Sequence, residues 1–203
     1  MSAVVLNVTA DQATDDGYVT VWPSGRDRPG VSSLNVVAGE TRANLVVVPV
    51  GVDGRVSMFS SGGADLIADV AGWFTDATAP NDSAGLFVPI TPTRMLDTRQ
   101  EPAAPTAPAS ALSRRIGSTT VVPPAATIAV AANITVTESA GPGFVTAWPA
   151  GSLRPIVSNL NTIRAGQTVP NAAILPLGLD DLDLYTQSGA QLIIDINGWY
   201  TNR

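Results

Sequence analysis

Gly17-Tyr18-Val19-Thr20-Val21-Trp22-Pro23-Ser24-Gly25 returns, one repeat later, as Gly143-Phe144-Val145-Thr146-Ala147-Trp148-Pro149-Ala150-Gly151. In the first copy Tyr18, Thr20 and Trp22 alternate with Val19 and Val21. That is the period of two of a strand, not the 3.6 of a helix. Each copy ends on a Pro-x-Gly turn signal. The duplication extends outward in both directions. Ala3-Val4-Val5-Leu6-Asn7-Val8-Thr9 returns as Ala129-Val130-Ala131-Ala132-Asn133-Ile134-Thr135, and Asp69-Val70-Ala71-Gly72-Trp73-Phe74 as Asp195-Ile196-Asn197-Gly198-Trp199-Tyr200. A duplication of this length marks a chain built from repeated modules.

Val, Ile and Thr dominate both copies, and turn residues interrupt them at short intervals. The pattern predicts strands near 3–9, 17–22, 31–37, 42–50, 55–60 and 65–74. It predicts their equivalents near 128–136, 143–148, 157–163, 168–177, 182–186 and 190–200. Asp53-Gly54 predicts a tight hairpin between the fourth and fifth strands. The fold expected is all-β: two tandem, pseudo-symmetric antiparallel β-sandwich-like units without significant helix. The first unit is placed at 1–79, a linker at 80–84, and the second unit at 85–203.

Composition bounds the chemistry. Of the 203 residues, 45% are hydrophobic and 14% charged, enough apolar content for real cores. No apolar run approaches the roughly 18 residues of a membrane span, so membrane insertion is not expected. His, Cys and Lys are all absent, and the 11 basic residues are all Arg. No His–Cys zinc site, Ser-His-Asp triad, Cys nucleophile, Lys Schiff base or disulfide is available to such a chain. The net charge of −6, with scattered Arg and no basic stripe, argues against a nucleic-acid partner. No cofactor is expected. Met1-Ser2 runs straight into the first strand pattern, without the charged-then-apolar signature of a secretory signal.

The second copy carries an extension that the first lacks. Leu86-Phe87-Val88-Pro89-Ile90 reads as a strand leading into Arg94-Met95-Leu96-Asp97-Thr98-Arg99. An Ala/Pro-rich loop is expected over 101–110 and a further strand over 118–124. Asp97 and Arg99 are read as a structural corner.

Taken together, F-x-P-x-x-P-x-R-x-L-D-T-R, N-[VI]-T, G-[YF]-V-T-x-W-P, S-x-L-N and D-[VI]-x-G-W-[FY] resemble a tandem module of secreted and cell-surface proteins from high-GC Gram-positive bacteria. The resemblance covers nearly the whole chain and implies an extracellular or cell-surface location. It implies no established activity. In that pattern a full unit begins at the Leu-Asp-Thr-Arg segment, so 84–203 matches a full unit and 1–79 only its later part. Three arrangements follow: the first copy lacks its opening strands, borrows them from a neighbour, or shares the segment 84–128 with the second copy in one pseudo-symmetric body.

The repeated aromatic, Arg and Asn residues are the candidate site. Trp22 and Trp148 stand directly before a turn, where an indole face is offered to a sugar or packs into a core. Arg28 and Arg154 follow closely. They suit a carboxylate or phosphate of a wall polymer, or pair internally with Asp69 and Asp195. Asn35 and Asn161 complete two equivalent sets. Trp73 and Trp199, which close the last strand of each copy, are read as core. Asn7/Asn133, Ser32/Ser158, Asn44/Asn171 and Asp69/Asp195 interrupt apolar strands and are read as ties for backbone groups. The alternatives for them are ligand hydroxyls or calcium, for which Asp180-Asp181-Leu182-Asp183 is the nearest approach to an acidic loop. No metal site is expected.

These readings point to a non-catalytic binding or adhesion module for carbohydrate or cell-wall polymer. Self-association through β-edge pairing is a further expectation. The second reading is a structural spacer, fibre or assembly unit without a small ligand. A hydrolase using only Asp and Glu ranks third, because repeated carboxylates serve repeated roles more naturally than one convergent acid–base pair.

Overall fold

The structure, a computed structural model, describes residues 1–80, 83–100, 106–117 and 121–202. The chain is all-β and divides into two compact units, Met1–Pro80 and Asn81–Arg203.

Unit 1 has six strands: β1 (Ala3–Asp11), β2 (Gly17–Pro23), β3 (Leu34–Val36), β4 (Arg42–Pro49), β5 (Val56–Ser60) and β6 (Asp65–Phe74). They form two antiparallel sheets, ordered β4-β1-β6 and β3-β2-β5. The alternation seen in the sequence sets the core. Leu6, Val8 and Ala10 of β1 meet Val19 and Val21 of β2 and Leu34 and Val36 of β3 between the sheets.

Unit 2 repeats this plan and adds a strand to each sheet. Its strands are β7 (Phe87–Asp97), β8 (Ser110–Arg115), β9 (Thr127–Thr137), β10 (Gly143–Pro149), β11 (Leu160–Thr162), β12 (Val169–Pro176), β13 (Asp181–Thr186) and β14 (Gln191–Thr201). The sheets run β12-β9-β14-β7 and β11-β10-β13-β8. The segment 84–128 thus supplies the outer strands β7 and β8 of the unit 2 sheets.

Three local expectations are corrected. Asp53 and Gly54 do take the two positive φ values of a tight turn, 57° and 71°. Yet β4 pairs with β1 and β5 with β2, so the turn carries the chain from one sheet to the other and closes no hairpin. Of the strand expected over 118–124, residues 118–120 lie outside the described residues, and 121–124 form no strand. The strand of that region is Ser110–Arg115, which pairs along β13 from Arg115↔Asp181 to Ser110↔Thr186. Its polar sequence conceals it, because the partner strand and not intrinsic propensity holds it extended. The third strand of each copy is shorter than expected, only Leu34–Val36 and Leu160–Thr162, because the residues before it belong to a loop described below. Of the expected linker and Ala/Pro-rich loop, residues 81–82 and 101–105 lie outside the described residues.

The extension is fastened to unit 2 at defined points. Arg99 grips Asp97 with Nε to Oδ1 at 2.8 Å and Nη2 to Oδ2 at 2.7 Å, and its N–H adds a third bond at 3.1 Å. The corner expected at Leu-Asp-Thr-Arg is therefore present. These bonds, with help from Arg94, pull the Asp97 carboxyl down to about 2. Thr98 Oγ1 donates to Gln191 and accepts from the Leu192 N–H, tying the corner to β14. Asp180 accepts the N–H groups of Ile116 and Gly117 on its carbonyl, at 3.0 and 2.8 Å. Its Oδ1 accepts from Ala125 N–H at 3.2 Å. Ser113 donates to Asp183. The acidic run Asp180 to Asp183 thus serves as a set of fasteners. Among the described residues no group of three or more acidic side chains is placed to hold a metal. No helix among them is long and apolar enough to cross a membrane.

Candidate functional site

In each unit the Trp-Pro turn opens a loop that folds back over the outer face of the small sheet. In unit 1 the Thr20 hydroxyl donates to Val31 O at 2.7 Å, and Ser33 N–H donates to Val19 O at 2.7 Å. Ser33 Oγ accepts from Val21 N–H at 3.0 Å. Asn44 Nδ2 reaches over from β4 to Ser33 O at 2.7 Å. Unit 2 reproduces the set. Thr146 donates to Val157 O at 2.7 Å, Asn159 Oδ1 replaces the serine on Ala147 N–H at 2.7 Å, and Asn171 Nδ2 bonds Asn159 O at 2.6 Å. Asn44 and Asn171 are therefore ties for backbone groups, as expected of polar residues in apolar strands.

The tryptophans belong to this loop. Trp22 Nε1 donates to Arg26 O at 2.9 Å, and Trp148 Nε1 to Ser152 O at 3.0 Å. Trp148 is only 7% exposed, whereas Trp22 is half-buried. An indole spent on closing its own loop anchors that loop, and in unit 2 it offers little face to a ligand.

The arginines take a different position. Arg28 lays its guanidinium over the Phe59 ring, 3.7 Å from the centroid, and Arg154 does the same over Tyr185 at 3.7 Å. Each ring leans on a second aromatic, Tyr18–Phe59 at 6.1 Å and Phe144–Tyr185 at 5.6 Å. The expected alternative, pairing with Asp69 and Asp195, is not what forms. Asp195 binds Arg94 instead, at 2.8 and 3.0 Å. Neither Arg28 nor Arg154 makes an ion pair among the described residues. A guanidinium is planar and weakly hydrated, so it is attracted to a ring face while keeping its N–H groups as donors.

Asn35 and Asn161 complete the face. Asn35 sits opposite Tyr18 in register and Asn161 opposite Phe144, on the outer side of the sheet. Trp22 lies four positions from Tyr18 along β2, about 13 Å at the rise of a strand. The structure therefore gathers Arg28 with Phe59, Tyr18 and Asn35, and sets Trp22 apart as the loop anchor. Tyr18/Phe144 and Phe59/Tyr185 were absent from the expected site. Alternation along β2 does place Tyr18 with Trp22 on the outer face. The cross-strand pairing of Phe59 with Thr20 has no local signal in the sequence.

The two loops differ at their tips. Leu153 and Ile156 flank Arg154 and are fully exposed, where unit 1 has Asp27 and Gly30 beside Arg28.

Trp73 departs from expectation. The sequence pattern reads it as core, yet it is 66% exposed, whereas its counterpart Trp199 packs against the core of unit 2. The two strands differ in their neighbours: β14 pairs with both β9 and β7, whereas among the described residues β6 pairs only with β1.

Comparison with protein-family models, with curated proteins and with solved structures returns no match. The fold and the duplicated cluster define an all-β repeat protein, and its function is argued from these residues alone.

Proposed function

We propose that the chain is a non-catalytic binding module for an anionic polysaccharide or cell-wall polymer, acting outside the cell or at its surface. The observation that carries the reading is the duplicated Arg-on-aromatic pair, held at 3.7 Å in both units although the arginines are exposed. A guanidinium oriented by a ring is prepared for two parallel hydrogen bonds to a carboxylate or phosphate. The neighbouring amide of Asn35 or Asn161 suits a sugar hydroxyl. Two such sites on one chain would bind a repeating polymer by avidity, each site being weak alone. The location outside the cell comes from the motif resemblance.

The test is a pull-down of the intact chain on insoluble wall polymers and polysaccharides, compared with Arg28→Gln, Arg154→Gln and the double variant. Selective retention that each single change weakens and the double change abolishes supports the reading. Retention untouched by the double change, or no retention on any polymer, overturns it. One observation favours a second reading, that of a structural assembly unit without a small ligand: the uncovered side of unit 1.

A further inference from the structure

In unit 2 the extension that begins with β7 meets β14 in three ways, and unit 1 keeps the matching residues of β6 for each. The first is ionic. Arg94 reaches both oxygens of Asp195, which lies opposite Asn133 in register. Asp69 lies opposite Asn7 in the same way, and no described cation is within ion-pair distance of it. Burial pushes the Asp69 carboxyl up, with no charge beside it to bring it down.

The second attachment is steric. The Phe87 ring lies so close over Gly198 that a Cβ there would stand 2.3 Å from Phe87 Cε2. Phe87 also leans on Tyr200 at 5.3 Å. Gly72 occupies the matching place on β6, and a Cβ there would meet nothing within 4 Å. The notch is present and its filling residue is not.

The third is hydrophobic. Met95, Leu96, Ile116 and Val122 of the extension close one side of the unit 2 core, leaving Ile196 at 0% exposure. The matching Val70 of unit 1 is 66% exposed, as is Trp73.

We propose that the open side of unit 1 is a docking site for an extended partner strand of the β7 kind. Such a strand carries an aromatic residue to lie on Gly72, an arginine placed as Arg94 is relative to Phe87 to meet Asp69, and apolar residues directly after it to cover Val70. Its backbone adds to the free edge of β6, the mode of strand addition. Edge-to-edge pairing of two β6 strands fits worse. Asp65 and Asp69 would face a strand that carries only carboxylates, and like charges across a pair are destabilising. The proposal stands independently of polymer binding.

The probe is a synthetic peptide of residues 86–99, titrated into the intact chain by calorimetry and tryptophan emission. The expected result is one peptide per chain with blue-shifted emission. Trp73→Phe removes the emission change but keeps the binding. Asp69→Arg weakens binding at least about tenfold, and the Arg94→Asp peptide restores it on that variant. Gly72→Val also weakens it. A side chain at Gly72 meets open space and Asp69 is half-buried, so circular dichroism checks each variant's fold. No binding at ~1 mM peptide, or binding indifferent to Asp69→Arg and Gly72→Val, overturns the proposal. Self-association of the chain that those two variants abolish also overturns it, by assigning the edge to a second copy.

Discussion

The last strand of each unit carries nearly the same sequence into opposite surroundings. In unit 2, β14 is a central strand, with β9 on one side and β7 on the other. In unit 1, β6 has β1 on one side and no described strand on the other. The small sheets differ likewise. Leu184 of β13 lies opposite Leu112 of β8 and is fully buried, while the matching Met58 of β5 is exposed. Among the described strands, unit 1 has none at the β6 and β5 edges, where unit 2 carries β7 and β8. Residue identity therefore does not decide burial here. Ile196 and Val70 are both β-branched aliphatics at equivalent positions, and neighbouring strands alone separate them.

The largest effect that would sharpen this contrast is in core truncation. Ile196→Ala should cost unit 2 about 2–5 kcal/mol, since the site is fully packed. Val70→Ala should change unit 1 by less than about 0.5 kcal/mol. Urea unfolding followed separately for the two units reads both values, and equal losses would break the comparison. The glycines come next. Gly198→Ala forces the Phe87 ring and the Val88 carbonyl aside and should cost about 1–3 kcal/mol. Gly72→Ala should be neutral or slightly stabilising, because the added methyl meets open space and the unfolded chain loses freedom. Thermal unfolding of the pair distinguishes them.

The smallest effect is in acid. Asp97 is held at about 2 by Arg99, below the unfolded value near 3.9. A depressed carboxylate contributes stability that is present above the unfolded value and is lost as pH falls toward 2. Asp69 is shifted the other way, so protonating it on acidification favours folded unit 1. Unit 2 should therefore lose stability between about pH 4 and pH 2 through a contribution that Asp97→Asn removes. A pH series of denaturant midpoints for the two chains provides the check.

Much of this architecture was legible because a period of two and an internal repeat are local signals. Tyr18, Thr20 and Trp22 declared an outer face, and Val19 and Val21 a core face. The corner at Asp97 and Arg99 was legible for the same reason, since the pair is close in sequence. Long-range pairing was not. Ser110–Arg115 is a strand only because β13 lies beside it. Asp53-Gly54 carries a hairpin turn's φ values while its flanking strands join different sheets. Trp73 and Trp199 share a motif, and only the location of β7 tells them apart. The site followed the same division. The Arg residues could be singled out from the repeat, but the rings that hold them come from a strand distant in sequence.

The contrast between the open and closed flanks is tested most directly by residue-resolved amide hydrogen exchange on the intact chain. The account predicts that alternate amides along Asp65–Phe74, those facing away from β1, exchange as solvent-exposed groups, while their counterparts along Gln191–Thr201 are protected by β7. Equal protection along both strands would show that the flank of unit 1 is covered and would contradict the account.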